Sequence, residues 1–211
     1  MPSPDVTVIL AAGAGTRLGG RGKALLRIGG ETLASRALRC AREADTRPLI
    51  VLGHRAEPVR EQLFQGPGLA DAEWVLCPDW EQGLSASFRA GVEAAAQQGA
   101  GRVAVVLVDQ PGIGAVALRR VLQAHAPGRI TQGLIRGTRT HPVVFDLAAA
   151  QAAAAIALGD AGARPYLRAH PELIEAVDLS GIAQAQDIDT PQDLDRWSGP
   201  GPRTAAPLHG A

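Results

Sequence analysis

The chain has 211 residues, enough for one sizeable α/β domain, and is 46% hydrophobic but only 3% aromatic, so its core must be Ala, Val, Leu and Ile. Its 21 Lys+Arg balance 21 Asp+Glu, and a net charge of zero excludes global attraction to nucleic acid or to a membrane surface. No apolar run approaches bilayer-spanning length and residues 1–5 lack the features of a signal peptide, so a cytoplasmic location is expected.

Val6 to Leu10 is a β-prone run that reads as a buried parallel strand, and it feeds a loop of Gly, Ala and small polar residues. Such a loop lets backbone N–H groups wrap an anion. Arg17 and Lys23 add two cations, and Lys23 is the only lysine in the chain. Its compact ammonium acts as a point charge on phosphate oxygens, unlike a planar guanidinium. Residues 1–60 hold ten basic and five acidic side chains, which favours an anionic ligand near this half. A dinucleotide-binding G-x-G-x-x-G is absent, because the glycines fall at 13, 15 and 19. A P-loop is absent too, since Ala24 follows Gly22-Lys23 and Arg17 stands where the first glycine belongs.

Residues 24–28 form a short apolar piece closed by Gly29-Gly30, and Thr32 is placed to cap a helix over 33–44. A second buried strand is expected over 49–52, a short helix over 57–64, a loop at 66–68 and a third strand over 73–77. Ser85 stands at the N-cap position of a helix over 86–98. With Ser87 it either caps that helix or helps make an anion site at its amino terminus.

Residues 103–108 are the most apolar strand and should be central. Asp109 follows at the carboxyl tip, where open α/β sheets place ligand chemistry, although Asp also starts ordinary turns. A helix is expected over 115–125. Residues 129–135 and 141–145 flank a polar reversal at 136–140, a hairpin pattern. An alanine-rich helix over 147–158, a short helix from Arg164 to near Pro171 and a late strand over 173–179 come next. Pro191 opens a last helix with Thr190 or Asp189 as its cap. Cys40 and Cys77 lack metal or redox spacing and are expected to pack as small apolar residues. The Pro/Gly-rich stretch 198–211 is expected to be a disordered tail, leaving 1–197 as the domain.

Leu10-Ala11-Ala12-Gly13-Ala14-Gly15-Thr16-Arg17-Leu18-Gly19, followed by Lys23, resembles the nucleotidyltransferase signature L-A-A/G-G-x-G-x-R-(L/M)-G with its lysine. Later segments resemble those of molybdenum cofactor cytidylyltransferases and their close relatives. They are Pro78-Asp79-Trp80 with Gly83 to Ser87, Val108-Asp109-Gln110-Pro111, Thr140 to Phe145, Gly159 to Arg164, and Asp187 to Leu194. Their order matches to about Trp197. Cys77, Leu84, Val108 and Thr140 depart from that family's Asn, Met, Gly and Gly, and these departures touch the acceptor side more than the triphosphate side.

The resemblance implies a Rossmann-like α/β nucleotidyltransferase domain with a mixed, mainly parallel sheet flanked by helices and a small β-hairpin insertion. It implies that Leu10, Ala11, Ala12, Gly13, Gly15 and Thr16 wrap a nucleotide triphosphate, with Arg17 and Lys23 neutralising it. Asp109 would hold Mg²⁺, with Asp189 or Asp187 as second carboxylate. Ser85, Ser87 and His141 would touch the acceptor, and for His141 a packed strand-edge histidine is the equal alternative. The implied reaction is Mg²⁺-dependent transfer of CMP from CTP to a phosphorylated acceptor, molybdopterin foremost, with release of pyrophosphate. The A-A-G form of the first motif is associated with CTP and A-G-G with guanylyl transfer. Another nucleotide, a sugar-phosphate or small phospho-acid acceptor, or a nucleotide-binding protein without turnover are the alternatives. Transient contact with a molybdoenzyme or its chaperone would fit the first reading.

Overall fold

The computed structural model describes residues 3–20, 22–64 and 72–198. The strands are β1 (Asp5–Leu10), β2 (Arg27–Ile28), β3 (Glu31–Thr32), β4 (Arg47–Leu52), β5 (Glu73–Leu76), β6 (Arg102–Leu107), β7 (Ile130–Ile135), β8 (Thr138–Asp146) and β9 (Ile174–Asp178). The helices are α1 (Leu33–Glu43), α2 (Ala56–Phe64), α3 (Leu84–Gln97), α4 (Ala115–Ala124), α5 (Leu147–Ala155), α6 (Arg164–Ala169) and α7 (Pro191–Ser198). The expected loop at 66–68 and the expected tail from 199 lie outside the described residues. Residue 198, at which the tail was expected to begin, is the last residue of α7.

Seven strands form one sheet in the order β5-β4-β1-β6-β8-β7-β9, with β8 alone running against the rest. The expected mixed, mainly parallel sheet is therefore what forms. Side chains alternate between the faces of a strand. Val6, Val8 and Leu10 of β1 pack with Phe88 and Val92 of α3 and Ala150 of α5, while Ile9 and Ala11 pack with Leu38 of α1 and Leu118 of α4. Both faces are covered, which is why Val6 to Leu10 reads as one continuous apolar run.

The hairpin expected around 136–140 is β7–β8, and both arms belong to the main sheet. The ribbon that stands apart from the sheet is β2–β3. The reversal is tighter than expected, a two-residue turn of Arg136 and Gly137 with φ of 49° and 79°. Strand β4 begins two residues early, at Arg47, and includes Pro48. Pairing with β5 starts only at Leu49, so Pro48 owes no hydrogen bond on that side.

From β1 the chain moves outward through β4 and β5, then returns to lay β6 on the other flank of β1. That reversal of strand order opens a crevice at the adjoining carboxyl ends, Leu10 beside Leu107. Everything that follows is built there.

Candidate active site

The loop after β1 folds back on itself. Leu18 and Gly20 donate to the Gly15 carbonyl, at 2.9 and 3.2 Å, and Gly22 donates to Ala14 at 3.2 Å. Gly15 has φ of 62°, which favours glycine, and a Cβ there would also press on Cγ of Lys23 at 3.1 Å. Leu18 is buried and anchors the turn that leaves Arg17 exposed at the rim. Leu10, Ala12, Gly13, Gly15, Thr16, Arg17 and Lys23 all line a cleft of about 900 Å³. Ala11, grouped with them on sequence, does not. The alternation of β1 carries its side chain into the core, and its N–H is spent on the Val51 carbonyl at 3.1 Å.

Asp109, just past β6, and Asp189, just before α7, converge on Lys23. Its Nζ lies 2.5 Å from a carboxylate oxygen of each. Burial alone would lower the lysine pKa, but the Asp109 charge and hydrogen bond, joined by those of Asp189, outweigh it and hold the ammonium above the ordinary lysine value. Asp187 takes a different place. It accepts from Nε2 of Gln110 at 2.8 Å, and burial, then the Asp109 and Asp189 charges, raise its carboxyl above the usual range. The Ile188 N–H donates to the Asp109 carbonyl at 2.9 Å, which ties the late segment to the tip of β6.

Two carboxylates drawn onto one cationic centre are a donor set suited to a hard divalent cation that keeps several waters. Among the described residues no group of three or more His, Cys, Asp or Glu converges, so the protein would contribute two carboxylates and no closed cage.

The other wall comes from the start of α3. This helix begins at Leu84, with Gly83 as N-cap, so Ser85 lies inside the first turn instead of capping it. The cap is supplied from far away, because Oδ1 of Asp160 accepts from the Leu84 N–H at 3.2 Å. Ser85 is fully buried, its hydroxyl accepts from the Gly162 N–H at 3.0 Å, and it is absent from the lining of the cleft. The structure therefore places the Ser85 side chain inward, where it fastens the 159–162 turn to α3, and not among the residues that line the cleft. Ser87 does line the cleft.

His141 lines a second cavity of about 330 Å³ that shares Leu10, Leu84, Leu107 and Arg164 with the cleft. Burial, then the Arg164 charge, hold its pKa down to about 4, so it is neutral at physiological pH. Trp80, Asp160 and Arg164 also line the cleft; the first stands in the Pro78-Asp79-Trp80 motif and the others in the Gly159 to Arg164 motif, but none was given a site role on sequence. Cys40 and Cys77 are free and buried, as expected, and burial raises both thiols. No described helix is long and apolar enough to cross a membrane.

Residues 7–174 match the MobA-like NTP transferase domain family. The chain is 37% identical over 202 residues to a nicotine blue oxidoreductase of Paenarthrobacter nicotinovorans, covering 92% of this chain and 96% of that one. It is 39% identical over 105 residues to a probable molybdenum cofactor guanylyltransferase of Opitutus terrae, covering 50% and 48%. In structure it resembles a nucleotidyl transferase from Methanothermobacter thermautotroptrophicus, with a TM-score of 0.77, 22% identity, and 92% and 96% of the two chains covered. At that identity the likeness is one of fold.

Proposed function

The chain belongs to the MobA-like NTP transferase domain family and is a nucleotidyltransferase, and from that premise we propose that it moves CMP from CTP to a phosphorylated acceptor, molybdopterin foremost, releasing pyrophosphate. The observation that carries the reading is the meeting of Lys23, Asp109 and Asp189 beneath the glycine loop, from three separated parts of the chain. The A-A-G form of the loop, Ala11-Ala12-Gly13, supports CTP. The relative named as a molybdenum cofactor guanylyltransferase supports the acceptor and keeps GTP as the rival donor.

In this mechanism the loop amides between Ala12 and Gly19, with Arg17, hold the triphosphate. A phosphate monoester is already anionic near neutral pH, so the acceptor needs no general base. Its oxygen attacks the α-phosphorus as the bond to the β-phosphate oxygen breaks, and pyrophosphate leaves with that electron pair. Arg17 and Lys23 offset the charge that grows on the leaving group. Asp109 and Asp189 would hold a divalent ion, Mg²⁺ foremost, which when bound neutralises charge between α-phosphate and acceptor. The work of the protein is alignment and charge compensation. We place the reaction in the cytoplasm, with transient handover to a molybdoenzyme or its chaperone.

The test is pyrophosphate release with Mg²⁺ and molybdenum cofactor, offering CTP, GTP, ATP and UTP separately. CTP-selective release is expected, and GTP selectivity would discard the cytidylyl assignment while keeping the mechanism. Asp109→Asn should abolish release and leave the fold intact, and full activity in that variant would remove the metal role. A second reading, redox chemistry on a small organic substrate in the same cleft, is favoured by the similarity to nicotine blue oxidoreductase along nearly the whole chain. Redox turnover of a coloured organic substrate, followed by its absorbance, would establish it. Silence in both assays, with nucleotide binding retained, would leave a nucleotide-binding protein without turnover.

A further inference from the structure

The cations of the site are unequally employed. Lys23 is paired with two carboxylates, whereas Arg17, Arg139 and Arg164 have no carboxylate within 4 Å among the described residues. Arg17 belongs to the glycine loop. Arg164 stands elsewhere in the cleft, among the residues it shares with the cavity of about 330 Å³, and it lines both. Its guanidinium is held by its own turn: Nε donates to the Ala161 carbonyl at 3.0 Å, and Nη2 to the Asp160 carbonyl. Carbonyls orient the group without neutralising it, and of its five N–H donors three remain unspent. The same turn is pinned to α3 by Ser85 and Asp160, so the cation sits on a fastened element.

The cavity beyond it is of another character. Gln132, Thr140 and His141 give it polar groups, Arg139 gives it a cation that donates to Oε1 of Gln132 at 3.4 Å, Phe88 and Phe145 give it an aromatic wall, and the one carboxylate in its lining, Asp187, is engaged by Gln110. A cavity of that size holds a small organic body, and of its two arginines without a carboxylate only Arg164 also lines the cleft, where it calls for an anion facing the triphosphate.

We propose that Arg164 binds the phosphate of the acceptor at the junction of the two cavities, and that the rest of the acceptor lies in the side cavity beside Gln132, Arg139 and His141. The inference rests on the nucleotidyl-transfer reading and deepens it. The acceptor class becomes a phosphate monoester with a compact, hydrogen-bonding body, held so that its anionic oxygen faces the triphosphate end. Arg17 and Arg164 then serve the two anions of one cleft.

The test uses inorganic phosphate as probe, titrated by 31P line broadening against the full chain saturated with α,β-methylene CTP, which occupies the loop. Wild type should bind phosphate, and Arg164→Ala should bind it about tenfold more weakly, the loss expected of charge-assisted hydrogen bonds. Affinity for the nucleotide analogue should be unchanged. Arg120→Ala, which removes a charge from an exposed position on α4, should leave both affinities unchanged. If Arg164→Ala does not fold, Arg164→Gln keeps an amide donor for the turn carbonyls and should show the same loss. The proposal is overturned by unaltered phosphate affinity in the folded variant, by an equal loss in Arg120→Ala, or by no phosphate binding in wild type. Loss of phosphate with no analogue binding in any variant would keep the anion site and sink nucleotidyl transfer instead.

Discussion

Lys23 shows how far a single residue can be read. Its uniqueness and its place after the glycine loop mark it on sequence as a phosphate ligand, but the pairing with Asp109 and Asp189 belongs to the fold. That pairing leads to a prediction with two signs. Lys23→Met should weaken nucleotide binding by about ten- to a hundredfold, as a charged contact is lost. It should also tighten Mn²⁺ binding to the nucleotide-free protein, because two carboxylates lose the cation that now neutralises them. Calorimetric titration of each ligand reads both, and unaltered Mn²⁺ affinity would show that the lysine does not compete for the metal position. His141 makes the complementary case, since motif and position were visible in sequence while its neutrality was not. Its folded pKa is about 4, below the ordinary value of 6.5. The unfolded chain therefore takes up a proton first as pH falls, and stability present above pH 6.5 is lost between there and about 4. Between about pH 7.5 and 4.5 this group should cost wild type about 2–3 kcal/mol that His141→Gln does not lose, as read by urea unfolding. Equal slopes in the two proteins would mean that the histidine is not shielded.

At the scale of elements, the sequence was most legible where hydrophobic periodicity decides and least legible where a distant partner does. β1, β6 and α1 lie within a residue of expectation, since each is specified by its own apolar spacing and, for α1, by Thr32, whose hydroxyl accepts from the Ser35 N–H at 3.1 Å. The start of α3 was misjudged because its cap, Asp160, lies 76 residues further on. No local rule reaches that far. Asp160 also explains Gly83, where φ is 97° and a Cβ would lie 2.4 Å from Oδ1 of that carboxylate. Gly99, just beyond the other end of α3, has φ of 72° and nothing within 4 Å. Gly83, with φ of 97° and ψ of −171°, lies in a region essentially confined to glycine, so Gly83→Ala carries backbone strain of about 1–3 kcal/mol and adds a clash of about 1–3 kcal/mol, whereas Gly99→Ala carries only the strain of its positive φ. A Cβ at Gly83 would also lie 2.8 Å from the Gly159 carbonyl, so thermal melts of the pair should show the larger loss in Gly83→Ala, and equal losses would mean that the whole 159–160 turn yields at little cost.

Across the whole molecule, the site depends on a segment that returns late. The family match ends at residue 174, yet Asp189 lies 15 residues beyond it and completes the carboxylate pair. What brings it there is a short strap after β9. Gln184 N–H donates to the Gly112 carbonyl at 3.2 Å, Ile188 N–H to Asp109, and Gln110 to Asp187, while the Ile188 side chain is fully buried in the α1–α4 core. The closing motif with its cap was legible as a helix start, and Thr190 and Asp193 do exchange hydrogen bonds there. That it reaches back across the sheet to the tip of β6 is topology, which no local pattern encodes. Because the strap joins core packing to the site, substituting a buried side chain that does not itself line the cleft should disturb both. Ile188→Ala should destabilise the protein by about 2–4 kcal/mol, the range for truncating a buried isoleucine. It should also raise the Mg²⁺ concentration needed for half-maximal pyrophosphate release, since Asp189 loses its neighbouring anchor. Leu118→Ala serves as the comparison, because that side chain is equally buried in the same core but on α4, outside the strap. A matched loss of stability there, with unchanged Mg²⁺ dependence, would assign the metal effect to the strap. If the two variants behaved alike in both measurements, Asp189 would be held by something other than its link to the core.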